Sequence, residues 1–459
     1  MLLTQLRISP ERCACSELLL DVCAALDRAG IEWCVPHGYA AYPEDVNPND
    51  VDLVVRPAHF ADVPRVLAGV PGVRLVQVRV HDGGTSIRYD LASRTPWGAP
   101  VLLGVDVSSD IRDLGTVLMS AEEFLAGRRR FKEVFWAPPP SVEFGHYLLK
   151  KLAKSARFGR EALDAQHAAT LSRLYHQDPD GCRRQLDRFF PRAEAQLIAA
   201  AAERHRWEPV RTYIASLRRA AARKVRLARP GHVLRYWAGD FARGIQRVLQ
   251  PTGLIIAFLG LDGSGKSATI ARLAEMLGLA FSSETRYHVR PHLWRPERGE
   301  IPPSPPVCPP PRSPLLSLAK LGLWWLDYSV GYLLRIGPGR VRSTMILFDR
   351  YYDDLLVDPR RYRFGGSMAL ARAVGRCLPR PDLLIVLDGP PELVCARKPG
   401  LELAEARRQR SAYVALARAV RGAHVVDASG ALDEVVARAA EVILDHMSRR
   451  TAQRLRLPA

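Results

Sequence analysis

The pattern of apolar and polar positions divides the chain into three regions. Short apolar runs alternate with amphipathic helical stretches at both ends of the chain, whereas the middle shows helical spacing throughout. We therefore predict an α/β domain over residues 1–140, a basic helical connector over 141–250 and a second α/β domain over 251–459. In the last region strand and helix patterns alternate, which is typical of a doubly wound, mostly parallel sheet.

The strand of residues 255–259 runs into a glycine-rich stretch and then into a helical pattern from Ala268 to Leu277. The stretch has the G-x-x-x-x-G-K-[ST] spacing of a phosphate-binding loop, in which backbone N–H groups and a helix N-terminus face an anion. Lys266 would reach the β- and γ-phosphates, and the Ser267 hydroxyl would ligate Mg²⁺. The residues predicted to bind nucleotide are Gly260, Asp262, Gly263, Ser264, Gly265, Lys266, Ser267 and Ala268.

Charged residues follow two later strands of the same region. Asp349 and Arg350 come directly after the buried strand 344–348, at the end where open α/β sheets place ligands. Asp349 could organise Mg²⁺ or accept a substrate hydroxyl, and Arg350 could hold a phosphate bidentately. Arg290, which follows an earlier predicted strand, could be delivered to the same site. Further along the chain, a set of arginines stands on or next to predicted helices: Arg397, Arg407, Arg408 and Arg410. The alternative for these arginines is a solvated helix surface.

In the first region, Asp50 and Asp52 lie two positions apart in a predicted strand, so that both side chains leave the same face. If the strand that carries Asp106 pairs beside them, the three carboxylates could converge on a divalent cation. The alternative is that the aspartates are capping, solvated or salt-bridged structural residues. Lys150, Lys151 and Lys154 follow on a helix and could meet phosphates, although a solvated basic face is the first interpretation.

The formal charge of +18 and the isoelectric point near 9.9 favour acidic partners. The most basic stretch, residues 218–247, is interpreted first as a linker or packing helix, second as a peripheral contact with an anionic membrane, and third as a contact with nucleic acid. The eight cysteines form no C-x-x-C pair, which indicates reduced thiols and a cytoplasmic location. The proline-dense stretch 296–314 is expected to be an extended loop, either a flap over the site or an exposed insertion.

Four motifs of the last region, GLDGSGKS, FDRYYDD, PDLLIVLDGPPE and ARK…RRQRSAY, resemble those of thymidylate-kinase-like P-loop kinases. The resemblance covers about residues 253–447 and implies a nucleoside-monophosphate-kinase type of fold. It also implies ATP and Mg²⁺ as cofactors, an Asp349–Arg350 pair facing the phosphate acceptor, and a lid formed by Arg397 and the 407–410 arginines. The stretch Thr-Arg-Glu-Pro-Gly-Gly, with which thymidylate kinases bind the phosphate acceptor, is replaced here by YHVRPHLW. Pro399-Gly400 stands where we expect an acidic residue in proteins that join such a kinase domain to a nucleotidyltransferase-like part.

The first region resembles, more weakly, the nucleotidyltransferase fold over about residues 15–140, through its glycine, its D-x-D pair and the later Asp106. A serine expected after Gly38 is replaced by Tyr39. The whole chain is thus similar to bacterial proteins that join a nucleotidyltransferase-like part to a kinase domain. Three functions stay open: an ATP-dependent kinase acting on a phosphorylated small molecule, a nucleotide-binding sensor or assembly protein without turnover, and a nucleotidyltransferase with an accessory kinase domain. A homodimer is left open as well.

Overall fold

The computed structural model describes residues 10–81, 84–95, 98–113, 116–226, 241, 243–292, 310–397 and 402–457. Contacts between residues divide the chain into two compact units. The first unit consists of the chain up to Thr95, Val101–Ile245 and the chain from Thr451 onwards. The second unit consists of Pro96–Pro100 and Gln246–Arg450. No helix of the described residues is long and apolar enough to cross a membrane.

The first unit contains a five-stranded mixed sheet with the strand order β1-β2-β5-β4-β3. One face of the sheet packs against α1 and α2, whose apolar side chains lie in one buried cluster with those of the strands. Strands β2 and β5 are parallel neighbours, and Asp52 of β2 lies in register with Asp106 of β5. The elements are α1 (Pro10–Arg28), β1 (Trp33–Cys34), β2 (Val51–Val55), α2 (Val63–Ala68), β3 (Arg74–His81), β4 (Ser86–Arg94), β5 (Pro100–Ser108), β6 (Asp110–Asp113), β7 (Thr116–Ser120), α3 (Ala121–Leu125), β8 (Arg129–Phe131) and β9 (Phe135–Ala137).

The helices that follow share a core with this sheet, so that the predicted connector is not a separate body in its described part. Cys34 of β1 and Val54 of β2 lie in one buried cluster with Leu148, Leu171 and Leu186 of the helices. Half of the stretch 218–247 lies outside the described residues, as do residues 296–309 of the proline-dense stretch. The helices are α4 (Pro140–Phe158), α5 (Ala165–Gln177), α6 (Pro179–Phe189), α7 (Arg192–Glu203), α8 (Glu208–Thr212) and α9 (Ile214–Arg226).

The second unit is built on the predicted parallel sheet, which has five strands in the order β11-β12-β10-β13-β14. Every neighbouring pair is parallel. All seven residues of the central strand β10 are buried, which agrees with a sheet covered on both faces. The strands are β10 (Leu254–Gly260), β11 (Ser283–His288), β12 (Thr344–Asp349), β13 (Leu383–Asp388) and β14 (Ala423–Asp427).

Helices connect these strands, and the carboxyl ends of β10, β12 and β13 meet at one edge of the sheet. This edge brings the phosphate-binding loop after β10 next to Asp349, the last residue of β12, and Asp388, the last residue of β13. The helices are α10 (Lys266–Leu277), α11 (Pro314–Gly331, continued by a π-helical turn over Tyr332–Ile336), α12 (Gly337–Val341), α13 (Asp354–Val357), α14 (Met368–Cys377), α15 (Pro391–Arg397), α16 (Leu403–Ala419) and α17 (Leu432–Leu455).

Candidate functional site

The loop between β10 and α10 has a backbone that requires glycine at its first and last turns. Gly260 has a φ of 141°, and a Cβ built there would lie 2.6 Å from the carbonyl oxygen of Leu387 on the neighbouring strand. Gly265 has a φ of 87° and directly precedes the helix. Both φ values are disfavoured for residues with a side chain, so these two glycines allow the tight curl that turns N–H groups inward.

Three side chains of the loop could face a bound phosphate. Lys266 is buried, and its Nζ donates to the carbonyl oxygens of Gly260 (3.1 Å) and Leu261 (2.7 Å), so that the ammonium lies inside the loop. The Oγ of Ser264 is buried and has no hydrogen-bond partner among the described residues. The Oγ of Ser267 donates to Oδ2 of Asp349 at 2.7 Å. A phosphate in the loop would give the Ser264 hydroxyl an acceptor, and the loop therefore fits an anion.

The contact between Ser267 and Asp349 joins the two residues that were predicted to hold Mg²⁺. Phe258 of β10 lies in register with Asp349 of β12, so that the start of α10 and the end of β12 are neighbours. Mg²⁺ binds in kinases through one or two protein oxygens together with substrate phosphates and water, and a serine hydroxyl with one carboxylate fits this pattern. No group of three or more His, Cys, Asp and Glu suited to a metal occurs among the described residues.

Arg350 is the centre of a buried ion network. Its guanidinium binds both carboxylate oxygens of Asp354 at 2.7 and 2.6 Å and also contacts Asp262 of the loop. Asp354 is fully buried and accepts further hydrogen bonds from the hydroxyls of Tyr362 and Tyr413. Burial alone would raise the pKa of Asp354, but Arg350, Arg361 and the hydroxyls of Tyr362 and Tyr413 together outweigh burial and hold the pKa below its ordinary value. In this structure the two terminal nitrogens of Arg350 bind two different carboxylates, those of Asp354 and Asp262, where one phosphate was predicted.

Asp262 is also bound by a second arginine that the sequence analysis did not single out. Arg361 donates to Oδ2 of Asp262 at 2.5 Å and to Asp358 at 3.3 Å. The sequence analysis therefore missed four residues of the site: Asp354, Arg361, Tyr362 and Tyr413. Asp354 ends the FDRYYDD motif and Tyr413 ends the RRQRSAY motif, so both could have been found there, whereas Arg361 and Tyr362 lie in the loop after α13 and carry no sequence signal.

The predicted lid arginines differ in their partners. Arg407 binds Glu392 at 2.8 Å, Arg408 binds Glu405 at 2.6 Å, and Arg410 holds both oxygens of Asp388 at 2.5 and 2.9 Å. Arg397 is exposed and makes no ion pair within the part of the chain that the structure describes. The Asp388 contact keeps Arg410 at the sheet edge where the loop lies. Pro399 and Gly400, which were compared with an acidic position, lie outside the described residues.

Arg290 follows β11 as predicted, and its guanidinium pairs with the buried Asp327 of α11 at 3.2 Å. On the same helix, Nζ of Lys320 donates to the carbonyl oxygen of Tyr362 and lies 5.2 Å from the ring centre of Trp324. Burial, followed by the nearby Arg312, Arg290 and Arg363, lowers the pKa of Lys320 to about 8. Lys320 thus lies beside Tyr362, one of the two tyrosines that contact Asp354, and it shares the ring of Trp324 with Arg290.

In the first unit, the predicted metal ligands are arranged differently from a metal centre. Asp52 accepts from Lys150 at 2.7 Å, and Asp106 accepts from Arg88 at 3.1 Å. Asp50 is exposed and precedes β2. Each of the two adjacent carboxylates thus faces a protein cation, and the described residues contain no group of three suitable ligands. The three aspartates in this arrangement do not fit a bound divalent cation.

The lysines of α4 are only partly the solvated face of the first interpretation. Nζ of Lys150 contacts both Asp52 and Nε2 of His37, at 2.7 and 2.9 Å, and Lys151 is buried with its Nζ 2.6 Å from Nε2 of His167. Lys154 alone is exposed. Burial lowers the pKa of Lys151 to about 8 and that of the nearby His146 to about 4. Lys150 and His146 also line a cavity of about 640 Å³ between α4, α9 and the β6–β7 pair.

Three features define the second unit as a P-loop phosphotransferase domain. They are the five-stranded parallel sheet, the phosphate-binding loop after its central strand, and the hydrogen bond from the loop serine to an aspartate of the adjacent strand. Comparison with known proteins narrows this class. The chain is 28% identical to a thymidylate kinase of Xanthomonas campestris pv. campestris over 228 residues, which are 46% of this chain and 90% of the relative. It is also 28% identical to the thymidylate kinase of Xanthomonas euvesicatoria pv. vesicatoria over 213 residues (43% of this chain, 85% of the relative).

A probable thymidylate kinase of Pyrobaculum aerophilum shows the same identity, 28%, over 199 residues, which are 41% of this chain and 95% of the relative. No protein-family model matches the chain. The similarity lies in the C-terminal part of the chain and covers nearly the whole of each relative. The protein is accordingly a kinase with a thymidylate-kinase-like P-loop domain.

Proposed function

We propose that the protein transfers the γ-phosphoryl group of ATP, with Mg²⁺, to a phosphorylated small molecule in the manner of nucleoside-monophosphate kinases. The observation that carries the proposal is the 2.7 Å contact between Ser267 Oγ and Asp349 Oδ2 at the mouth of the phosphate-binding loop. A serine and a carboxylate at this place are the protein oxygens that Mg-ATP requires. The similarity of the C-terminal part to thymidylate kinases supports the same reaction class.

In the proposed reaction the protein contributes position and charge and no covalent step. The N–H groups of the loop and Lys266 would hold the β- and γ-phosphates, while Ser267 and Asp349 would hold Mg²⁺, which neutralises the charge on the phosphates. Arg350 would keep Asp262 and Asp354 in place beside the acceptor. Arg397, which makes no ion pair within the described residues, is the arginine best able to move onto the transferred group.

For the acceptor we propose an anionic compound, because cations stand beside the Arg350 network. Lys320 and Arg290 flank the buried ring of Trp324. The stretch YHVRPHLW stands in place of the motif with which thymidylate kinases bind their acceptor, so the sequence does not single out dTMP as the acceptor. The panel of acceptors in the test should therefore include sugar phosphates and lipid-phosphate head groups as well as dTMP and other nucleoside monophosphates.

The test measures ADP release by the full chain with Mg-ATP, alone and with each acceptor, for the wild type and two variants. Lys266→Ala removes the cation inside the loop, and Arg272→Ala is its control because it removes an exposed cation from the same helix. We expect acceptor-dependent ADP release in the wild type and Arg272→Ala, and its loss in Lys266→Ala. Equal rates in all three proteins would refute the proposal. ATP binding without ADP release for any acceptor would instead support a nucleotide sensor.

For the first unit we infer a nucleotidyltransferase-like fold that lacks a metal centre. The parallel pairing of β2 with β5 supports the fold, and the pairing of Asp52 with Lys150 and of Asp106 with Arg88 supports the absence of the metal. We expect no release of pyrophosphate from nucleoside triphosphates in the presence of Mg²⁺. Pyrophosphate release that Asp52→Asn abolishes would show that a nucleotidyltransferase centre forms after all.

A further inference from the structure

The cavity of about 640 Å³ in the first unit has no part in the proposed kinase reaction. It lies between α4, α9 and the β6–β7 pair. Eight of the thirteen residues that line it are Ile, Leu or Ala, four are Lys or Arg, and the remaining one is His146. Small-molecule sites have volumes of about 300–1,000 Å³ and are mostly apolar, with a few placed polar groups. The cavity therefore has the size and the lining of a ligand site.

The residues that line the cavity differ in their exposure to solvent. Leu152 and Ala221 are buried at its floor, whereas Ala153, Ala156 and Arg219 are exposed at its opening. A ligand with an apolar end would place that end against the buried aliphatic side chains, where it is removed from water, and would keep a polar end at the opening. The distribution of burial thus favours an amphiphilic molecule.

Two of the four cations of the cavity are not neutralised by a carboxylate. Arg112 and Lys150 each pair with an aspartate, at 2.9 and 2.7 Å. Arg218 makes no hydrogen bond or ion pair within the part of the chain that the structure describes, and Arg219 donates there to a carbonyl oxygen and a hydroxyl of its own helix. Burial lowers the pKa of His146 to about 4, so that its ring adds no charge at pH 7. The opening of the cavity therefore carries two positive charges that an anion would balance.

The lining suits an aliphatic body better than a nucleobase. Proteins bind bases by stacking them on aromatic side chains and by hydrogen bonds to the donors and acceptors of their edges. As far as the structure describes the lining, it contains no Phe, Tyr or Trp, and its Lys and Arg side chains are donors only. A hydrocarbon chain needs only apolar contact, and a carboxylate or phosphate accepts hydrogen bonds from donors of this kind.

We propose that the cavity of the first unit binds an aliphatic anion, a molecule with a hydrocarbon chain and one carboxylate or phosphate head. The chain lies on Leu152 and Ala221, and the head accepts hydrogen bonds from Arg218 and Arg219 at the opening. Free fatty acids and phosphate esters of fatty alcohols share this chemistry, and the test below separates them. The site lies entirely in the first unit, so that its occupation does not depend on the proposed kinase reaction.

The test uses isothermal titration calorimetry of the full chain with decanoate, decyl phosphate, decan-1-ol and decyltrimethylammonium, which share one chain length and differ in the charge of the head. Arg218→Met removes a cation at the opening. Arg223→Met is its matched control, because Arg223 is exposed on the same helix and does not line the cavity. Ala222→Phe fills the cavity, and Ala215→Phe adds the same ring at an exposed position of α9 outside it.

We expect the wild type and both control variants to bind decanoate or decyl phosphate at least about tenfold more tightly than decan-1-ol, and not to bind decyltrimethylammonium. Arg218→Met should weaken the binding of the anion at least about tenfold and leave that of decan-1-ol unchanged. Ala222→Phe should abolish the binding of both, and if this variant does not fold, the comparison of Arg218→Met with Arg223→Met decides. Tighter binding of decanoate would identify a fatty acid, and tighter binding of decyl phosphate a phosphate ester.

Lys266→Ala separates this cavity from the phosphate-binding loop of the second unit, and it should bind the anion as the wild type does. Loss of binding in Lys266→Ala, equal affinities for the anion and decan-1-ol, or no binding of either anion to the wild type would overturn the proposal. So would flotation of the wild type, but not of Arg218→Met, with vesicles containing phosphatidylserine when neither free anion binds, because the arginines would then serve a membrane surface.

Discussion

The buried pair of Arg350 and Asp354 allows a sharp test of whether Arg350 acts mainly by holding the site together. Arg350→Met keeps much of the side-chain volume and removes the guanidinium. Asp354 is 0% exposed and would then keep only the hydroxyls of Tyr362 and Tyr413 as donors, at 2.7 and 2.5 Å. Removing one partner of a buried ion pair strands the other charge, which costs about 3–5 kcal/mol. We expect the variant to be less stable by that amount.

The matched variants separate stranded charge from lost packing. Asp354→Leu with Arg350→Met removes both charges, and the double variant should recover about half or more of the loss of Arg350→Met, because no carboxylate is left buried without a cation. The assay is urea unfolding of the full chain, followed by tryptophan fluorescence. The unfolding transition whose midpoint ATP raises is assigned to the second unit, and its free energy of unfolding is compared between the variants.

The pH dependence of the stability difference between the wild type and Arg350→Met gives an independent check of the buried ion pair. Arg350 holds the pKa of Asp354 below its ordinary value, so that the pair stabilises the fold above the unfolded pKa of about 3.9, and this contribution is lost as the pH falls through the lower folded pKa. Without Arg350, burial raises that pKa, and the variant takes up a proton more readily. The gap in stability between wild type and Arg350→Met should therefore narrow as the pH falls from 7 towards 4. A loss below 1 kcal/mol at pH 7, or a gap that widens in acid, would refute this reasoning.

Three further predictions concern the same unit. Gly260→Ala should weaken ATP binding at least about tenfold because its Cβ would lie 2.6 Å from the Leu387 oxygen at a φ of 141°, whereas Gly278→Ala should bind ATP as the wild type does; equal affinities by calorimetry would contradict this. Arg397→Ala should lower kcat about 100-fold or more, and Arg407→Ala, which breaks an exposed ion pair, only a few-fold; similar kcat values would exclude Arg397 as the mobile cation. Burial lowers the pKa of Lys320 to about 8, so the unfolded chain binds more protons than the folded chain between pH 8 and about 10. The free energy of unfolding should therefore rise over that pH range in the wild type but not in Lys320→Met. If the urea midpoints of the two proteins change with pH in the same way, Lys320 is not the titrating group.

The sequence by itself determined the second unit to a large extent. The apolar run of β10 and the glycine spacing after it predicted strand, loop and helix, because only a few backbone shapes satisfy those residues. The position of Asp349 at the end of another buried strand predicted that it lies at the edge of the sheet where such folds bind ligands, since parallel strands end at one edge. In the structure, Asp349 contacts Ser267 at that edge.

Tertiary structure decided the partners of the charged residues. Arg350 lies beside Asp262 and Asp354 because the chain after β12 folds back over the loop, and Tyr413 joins from a helix 59 residues further along. Asp52 and Asp106 are neighbours because β2 and β5 pair, which the sequence left as a condition. Whether they face a metal or a protein cation depended on Lys150 and Arg88, which come from a helix and from another strand. Sequence spacing sets which face a side chain leaves, whereas the opposing charge comes from residues distant in the chain, and only the packed fold specifies which of them is within reach.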